Sequence, residues 1–386
     1  MNSFIPYGKQ SINESDIKAV VEILSSPFLT QGPKVPEFEE AVASIVNAKY
    51  SIAVNSATSA LHIACLALEL GPGEYLWTSP ITFVASANCA LYCGAKVDFV
   101  DVDANTGLMC IHALEQKLID AKKTNKLPKV VIPVHLAGTS CDMKQIKQLS
   151  VEYGFSIVED ASHAIGGRFH SHWVGSCRYS DICVFSFHPV KIITTAEGGM
   201  ATTNNPELAR KMRLLRSHGI TKNEDDFFQS DPPQWAYEQQ LLGFNYRMTD
   251  IQAALGISQI SRLSDFIAER NRLLAKYDHY LQDFELDILD IPEGVYSAVH
   301  LCIVRLQSHL KHKKRTIFDL VRAQNIGVQV HYTPVHLQPY YQQLGFQLGD
   351  FPVAEEFSAL IFSIPLFPGL EASHQAMVID AIKKAL

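Results

Sequence analysis

The chain contains no Cys-x-x-Cys pair although it carries 8 cysteines. They stand at positions 65, 89, 93, 110, 141, 177, 183 and 302, several of them inside apolar segments. That distribution argues against a disulfide scaffold and against a paired-cysteine zinc site, and predicts reduced, mostly buried thiols. Cys89 and Cys93 lie one helical turn apart, with no second ligand pair near them in sequence. Basic charge is in deficit, with 33 Lys and Arg against 40 Asp and Glu and a formal net charge of −7. A nucleic-acid binder needs the opposite balance, and the cluster Lys311-His312-Lys313-Lys314-Arg315 reads as a solvated helix face. No segment approaches the roughly 20 apolar residues of a membrane span. Met1 to Tyr7 lacks a basic region followed by an apolar stretch, so neither a signal peptide nor a membrane partner is expected and the protein is expected to be cytoplasmic. A Gly-x-Gly-x-x-Gly fingerprint after an early strand is missing, which weighs against a dinucleotide-dependent oxidoreductase. Repeats and low-complexity tracts are absent too. His170 and His172, two apart around Ser171, suggest an exposed hairpin rather than a ligand pair.

What is present is an alternation of strand and helix signals through the first 255 or so residues. Lys96–Val102 and Lys129–His135 are apolar strands bounded by polar or turn residues. With 386 residues and 47% apolar content the chain can bury a large core and divide in two. The expected architecture is α/β: a large domain over 1–255 with a mostly parallel sheet between helices, and a smaller C-terminal α+β domain over 256–386. One helix from about Thr249 into the Arg270 region is expected to bridge them. The stretch from Lys222 to Trp235, rich in Asp, Gln, Pro and Phe, reads as a mobile loop and a candidate lid.

Lys191 is the most informative residue. It follows the strand-like stretch Ile182–Phe187, and small and hydroxylic residues flank it rather than the charges of a solvated face. Taken alone it reads as a surface lysine on a loop. Upstream, Ser156-Ile157-Val158-Glu159-Asp160 is an apolar strand ending in a carboxylate. Asp160 alone reads equally as a helix N-cap. Parallel strands gather ligands at their carboxyl ends, so Asp160 and Lys191 are expected to converge on one crevice. Pyridoxal 5'-phosphate requires such a pair: a lysine amine that condenses with its aldehyde, and a carboxylate that keeps its pyridine nitrogen protonated. A third element, Ala53-Val54-Asn55-Ser56-Ala57-Thr58-Ser59-Ala60-Leu61, turns a strand into a helix through small hydroxyl-bearing residues. Free N–H groups at such a helix start, with Ser and Thr hydroxyls, form an anion site suited to the cofactor phosphate. By itself this loop is an ordinary capped helix.

Across nearly its whole length the sequence resembles the DegT/DnrJ/EryC1/StrS group of nucleotide-sugar aminotransferases, which use pyridoxal 5'-phosphate and have the transferase fold type I. The motifs that carry the resemblance are Leu29-Thr30-Gln31-Gly32-Pro33, Asn55–Leu61, Thr82–Asn88, Val158–Ala164, the lysine segment, Arg216–Gly219, Asn245–Ala254 and Val330-His331-Tyr332. Some relatives are dehydratases with histidine at the lysine position; this chain keeps lysine, which implies transamination. The form Thr194-Thr195-Ala196-Glu197 resembles the branch of pseudaminic acid biosynthesis, while Ile192 departs even from that branch. The resemblance therefore implies transfer of an amino group from L-glutamate to C4 of a UDP-linked 4-keto-6-deoxy-N-acetylhexosamine, with a GDP- or dTDP-linked keto sugar, or amination at C3, as the alternative.

The same resemblance implies roles for individual residues. Lys191 bonds the cofactor and shuttles the proton, and Asp160 pairs with the pyridine nitrogen. Phe83 lies against the ring, or is a core phenylalanine. Ala57, Thr58 and Ser186 hold the phosphate, and Ala57 and Ser186 also border the substrate. His163 lies near the phenolic oxygen, or is a helix-start histidine satisfied by backbone. Asn245 reaches the phosphate in the neighbouring subunit and borders its substrate, which implies a homodimer with shared sites. Tyr7, Phe28, Leu29, Thr30, His331 and Tyr332 contact the sugar nucleotide, each with a packing or turn reading beside it.

Overall fold

Six of the seven strands of the central sheet point the same way. A computed structural model describes residues 4–386. In spatial order the strands are Tyr50–Val54, Gly199–Thr203, Ile182–Ser186, Ser156–Asp160, Val130–Ile132, Tyr75–Thr78 and Lys96–Phe99. Only Gly199–Thr203 runs against its neighbours. Every residue of Ile182–Ser186 and of Gly199–Thr203 is buried, as a sheet covered by helices on both faces demands. The expected mostly parallel sheet between helices is therefore what forms.

The helix Ala57–Ala67 carries apolar or small side chains almost all round and is buried along most of its length. Its N-cap is Ser56, whose Oγ accepts from the Ser59 N–H at 3.1 Å, a cap of about 1 kcal/mol. This helix and Ala85–Tyr92 pack on each other over the sheet, with Leu61, Cys65, Ala87 and Cys89 in the main core. A separate core fills the space around the antiparallel sheet Leu286–Ile288, Cys302–Leu306 and Ile361–Ile364, under the helices Leu263–Leu281, Lys314–Ala323 and Ala372–Ala385. Two segments cross between the cores. Ile5 packs into the second one and bridges Ile326, while Val335, Tyr341, Phe351 and Phe357 pack into the first.

The single helix expected from Thr249 to the Arg270 region is two. Asp250–Ile260 starts at a capping box formed by Thr249 and Gln252, and Leu263–Leu281 follows after a break at residues 261 and 262. Arg262 leaves the helical path where its guanidinium is tied to the buried Asp16 carboxylate and to the Ser11 carbonyl. Residues 168–173 form the short hairpin that the spacing of His170 and His172 suggests. The 222–235 stretch is closed at its base by the pairing of Ile220–Thr221 with Glu238–Gln239, and Glu238 accepts from the N–H groups of Phe228 and Gln229 at 2.8 and 3.1 Å. Among the described residues no helix is long and apolar enough to cross a membrane.

Candidate active site

Strand direction brings the site together. Asp160 and Ser186 end neighbouring parallel strands, Val54 ends another, and Gly199 begins the antiparallel strand beside it, so all four lie at one edge of the sheet. A cavity of about 420 Å³ opens there. Ten of the residues singled out in the sequence line it: Tyr7, Ala57, Thr58, Phe83, Asp160, His163, Ser186, Lys191, His331 and Tyr332. Four do not. Asn245 is exposed, bridged to Ser217, and Thr30 is bridged to Thr249. Phe28 and Leu29 are 52% and 48% exposed, in a loop pinned by Asp250, whose carboxylate accepts from Gly32 and Lys34 N–H at 2.6 and 2.8 Å.

The Asp160 carboxylate is held by three donors. Ser86 Oγ reaches Oδ2 at 2.5 Å; Ser162 Oγ and the Ser162 N–H reach Oδ1 at 2.5 and 3.1 Å. Thr82 Oγ1 lies 2.8 Å from Ser86 Oγ and fixes that hydroxyl in turn. Hydrogen bonds on both oxygens hold the carboxylate in one orientation. Sequence reasoning passed over Ser86 although it lies inside the Thr82–Asn88 motif. Its partner is 74 residues away, and only the packing of the Ala85–Tyr92 helix over the sheet joins them.

Lys191 sits in a loop folded back on the strand end. Its N–H bonds the His188 carbonyl at 2.9 Å, and Phe187 O accepts from Thr195 N–H and from Thr194 Oγ1, each at 3.0 Å. Burial lowers the lysine to about 8, with the Asp160 charge pulling the other way. The residue lines the cavity and is partly buried. Ile192, the departure noted in the sequence, is 4% exposed and packs with Phe187, Met200 and Met248 rather than lining the cavity. The contact left open at that position is thus a core contact.

Three observations fit a phosphorylated pyridine ring. The N–H groups of Ala57 and Thr58, in the first turn of their helix, have no intrahelical acceptor. Phe83 is 59% exposed at the cavity wall, an apolar face offered to a flat ring. His163 is buried, and its Nδ1 has no hydrogen-bond partner among the described residues. Gly199 completes the cradle: a Cβ there would lie 2.5 Å from Ala57 N and from Ser56 C, both backbone atoms. Gly199→Ala is accordingly expected to weaken pyridoxal 5'-phosphate binding roughly tenfold or more, because the helix start must shift. Absorbance titration of the cofactor-free chain measures it, and unchanged affinity would remove the cradle from the site. Glu197, His188 and His300 also line the cavity; none of the three was singled out in the sequence.

Comparison with known proteins identifies the family. Residues 10–383 match the DegT/DnrJ/EryC1/StrS aminotransferase family. A Bacillus subtilis protein, spore coat polysaccharide biosynthesis protein SpsC, is 36% identical over 99% of this chain and 97% of its own. The UDP-4-amino-4,6-dideoxy-N-acetyl-beta-L-altrosamine transaminase of Campylobacter jejuni is 36% identical over 98% of this chain and 96% of its own. The solved structure of Helicobacter pylori PseC, an aminotransferase of pseudaminic acid biosynthesis, superposes with a TM-score of 0.90 at 32% identity, covering 99% of both chains. Other similar structures have been solved in PLP and PMP forms. The chain belongs to the DegT/DnrJ/EryC1/StrS aminotransferase family and is a pyridoxal 5'-phosphate-dependent sugar aminotransferase.

Proposed function

We propose that this enzyme transfers the amino group of L-glutamate to C4 of a UDP-linked 4-keto-6-deoxy-N-acetylhexosamine, giving UDP-4-amino-4,6-dideoxy-N-acetyl-β-L-altrosamine for pseudaminic acid biosynthesis. The observation that carries the proposal is the near full-length match to the Campylobacter transaminase of that name. A second reading, amination of another nucleotide-linked keto sugar, GDP- or dTDP-linked or at C3, stands beside it because a Bacillus protein named only for spore coat polysaccharide biosynthesis is equally identical.

In this reading pyridoxal 5'-phosphate, when bound, supplies a sink for the electron pair released as a C–H bond breaks. The residues of the chain do the rest. Lys191 Nζ takes the α-proton of the donor and later gives a proton to the sugar carbon that receives the amine, a task suited to an amine lowered to about 8. Asp160 holds a negative charge against the ring nitrogen. Ala57 and Thr58 N–H groups and Ser186 Oγ hold the phosphate, and Phe83 covers one face of the ring. His331 is bonded through Nδ1 to Ser363 Oγ at 2.8 Å, and burial, then Lys191, lowers it to about 4. It meets the sugar as a neutral imidazole, beside Tyr7, whose ring centroid is 5.3 Å from its own.

The proposal includes a homodimer. Among the described residues the charged side chains lining the cavity are Lys191, Asp160 and Glu197, so this chain brings no surplus cation to a phosphate and a diphosphate. Asn245, Phe28, Leu29 and Thr30, exposed outside their own cavity, are assigned to the site of a second copy. The division at residue 255 between a cofactor-holding domain and a small C-terminal domain belongs to the same proposal.

The substrate is settled by incubating the enzyme with L-glutamate and UDP-, GDP- and dTDP-linked keto sugars, and identifying products by NMR. Amination at C4 of the UDP-sugar is expected. Amination of only a GDP- or dTDP-sugar would overturn the substrate while leaving the family untouched.

A further inference from the structure

The cavity wall holds two imidazoles packed on each other. His163 and His300 are 5% and 4% exposed, with ring centroids 4.4 Å apart. A tight turn places them together: Ala137 and Gly138 take positive φ, and their carbonyls accept from His300 N–H at 2.7 Å and Ala298 N–H at 3.0 Å. A Cβ on Gly138 would lie 2.9 Å from the His163 carbonyl oxygen. His163 Nε2 is 3.2 Å from the Tyr332 hydroxyl. The Nδ1 atoms of both histidines have no partner among the described residues.

The charges around the pair oppose protonation. Lys191 and His331 face His163; the same two, with Arg270, face His300. Arg270 is buried and, among the described residues, donates only to carbonyls, those of His300, Leu366 and Val299 at 3.1, 3.2 and 3.4 Å. Asp160, the carboxylate nearest in sequence, is already engaged by Ser86 and Ser162. Burial first, then Lys191 and His331 beside His163, and His163 itself, Lys191, Arg270 and His331 beside His300, drive both imidazoles well below their ordinary range. Tyr332 is pushed well up, by burial, then by Asp160 and Tyr7, and keeps its proton.

A neutral imidazole carries one proton, and the hydrogen bond to Tyr332 decides where it sits. If the phenol donates to Nε2, the imidazole proton is on Nδ1, and that N–H alone lacks a partner. If Nε2–H donates to the phenol, two groups are left unmatched, the phenolic hydrogen and the bare Nδ1. Unmatched polar groups in an enclosed site are costly, so the first arrangement prevails. We propose that Tyr332 is a positioning residue: its hydroxyl fixes His163 in the Nδ1-protonated tautomer, which presents a hydrogen-bond donor to an oxygen of the cofactor. This gives Tyr332 work other than holding the sugar, and it rests on the cofactor reading of the cavity above.

The test is Tyr332→Phe beside the unaltered enzyme. Nitrogen-15 NMR of histidine-labelled protein, with His163→Gln to assign the signal, is expected to show His163 protonated at Nδ1 with and without pyridoxal 5'-phosphate. In Tyr332→Phe the proton moves wholly or partly to Nε2. Cofactor affinity falls roughly three- to tenfold, and kcat falls while KM for the keto sugar stays within about twofold. An Nε2-protonated His163 in the unaltered enzyme overturns the proposal, even if the variant fails to fold. So does a tautomer indifferent to Tyr332→Phe, or a sugar KM that rises with kcat untouched. Failure to bind pyridoxal 5'-phosphate would sink the cofactor reading instead, and the tautomer of the cofactor-free chain would still decide this one.

Discussion

Replacing Lys191 by arginine is expected to lower turnover by roughly 10⁴-fold or more, because the proposed mechanism makes one group both nucleophile and proton carrier. The guanidinium keeps its proton at any working pH, so it can neither attack an aldehyde nor accept a proton from carbon. The lysine is suited to both tasks by its surroundings: burial brings it to about 8, and Asp160 limits the fall. Above that pH the amine is uncharged, and below it the ammonium form grows. Reaction of the Lys191 amine with an acylating reagent in the cofactor-free chain should therefore rise through a midpoint near pH 8. Removing the Asp160 charge should move that midpoint down, since the carboxylate favours the ammonium. Borohydride treatment of the cofactor-loaded enzyme should leave the pyridoxyl group on the peptide containing Lys191, and on none in Lys191→Arg. Normal turnover in that variant, or label on another lysine, would refute the assignment.

The part of this site that could be read from sequence is the part carried by strand ends. Strands buried on both faces show as mostly apolar runs, so the polar residue at the end of each one, Asp160 or Ser186, marks the edge where ligands collect. The helix start at Ser56-Ala57-Thr58 was legible for the same local reason. What could not be read depends on contacts between distant segments. Ser86 meets Asp160 across 74 residues, and Tyr332 meets His163 across 169. His300 carries no motif of its own and reaches the cavity because the Ala137-Gly138 turn docks on its backbone. The break at residues 261 and 262 coincides with the tie between Arg262 and Asp16, 246 residues away in the helix Glu14–Leu24. Periodicity runs through such a break unchanged, since both helices bury one face.

Asp160→Asn is the second substitution expected to cripple the enzyme, by roughly 10²- to 10³-fold in kcat, the loss that follows removal of one preorganised electrostatic partner. The amide is nearly isosteric, so the fold should stand, but it cannot carry the negative charge that keeps a pyridine nitrogen protonated. It also offers one oxygen where the carboxylate serves Ser86 on one side and Ser162 on the other, and its NH₂ meets a hydroxyl that must turn round. Ser86→Ala separates the two effects. It leaves the charge and removes one donor, at a hydroxyl linked to Thr82. A loss of about tenfold is expected, the scale of one hydrogen bond to a charged group. Steady-state rates with L-glutamate, with circular dichroism to confirm folding, order the three proteins as unaltered, Ser86→Ala, Asp160→Asn. If Asp160→Asn retained the rate of the unaltered enzyme, the carboxylate would be a helix-start acceptor and nothing more. If Ser86→Ala proved as slow as Asp160→Asn, orientation rather than charge would be what the carboxylate supplies.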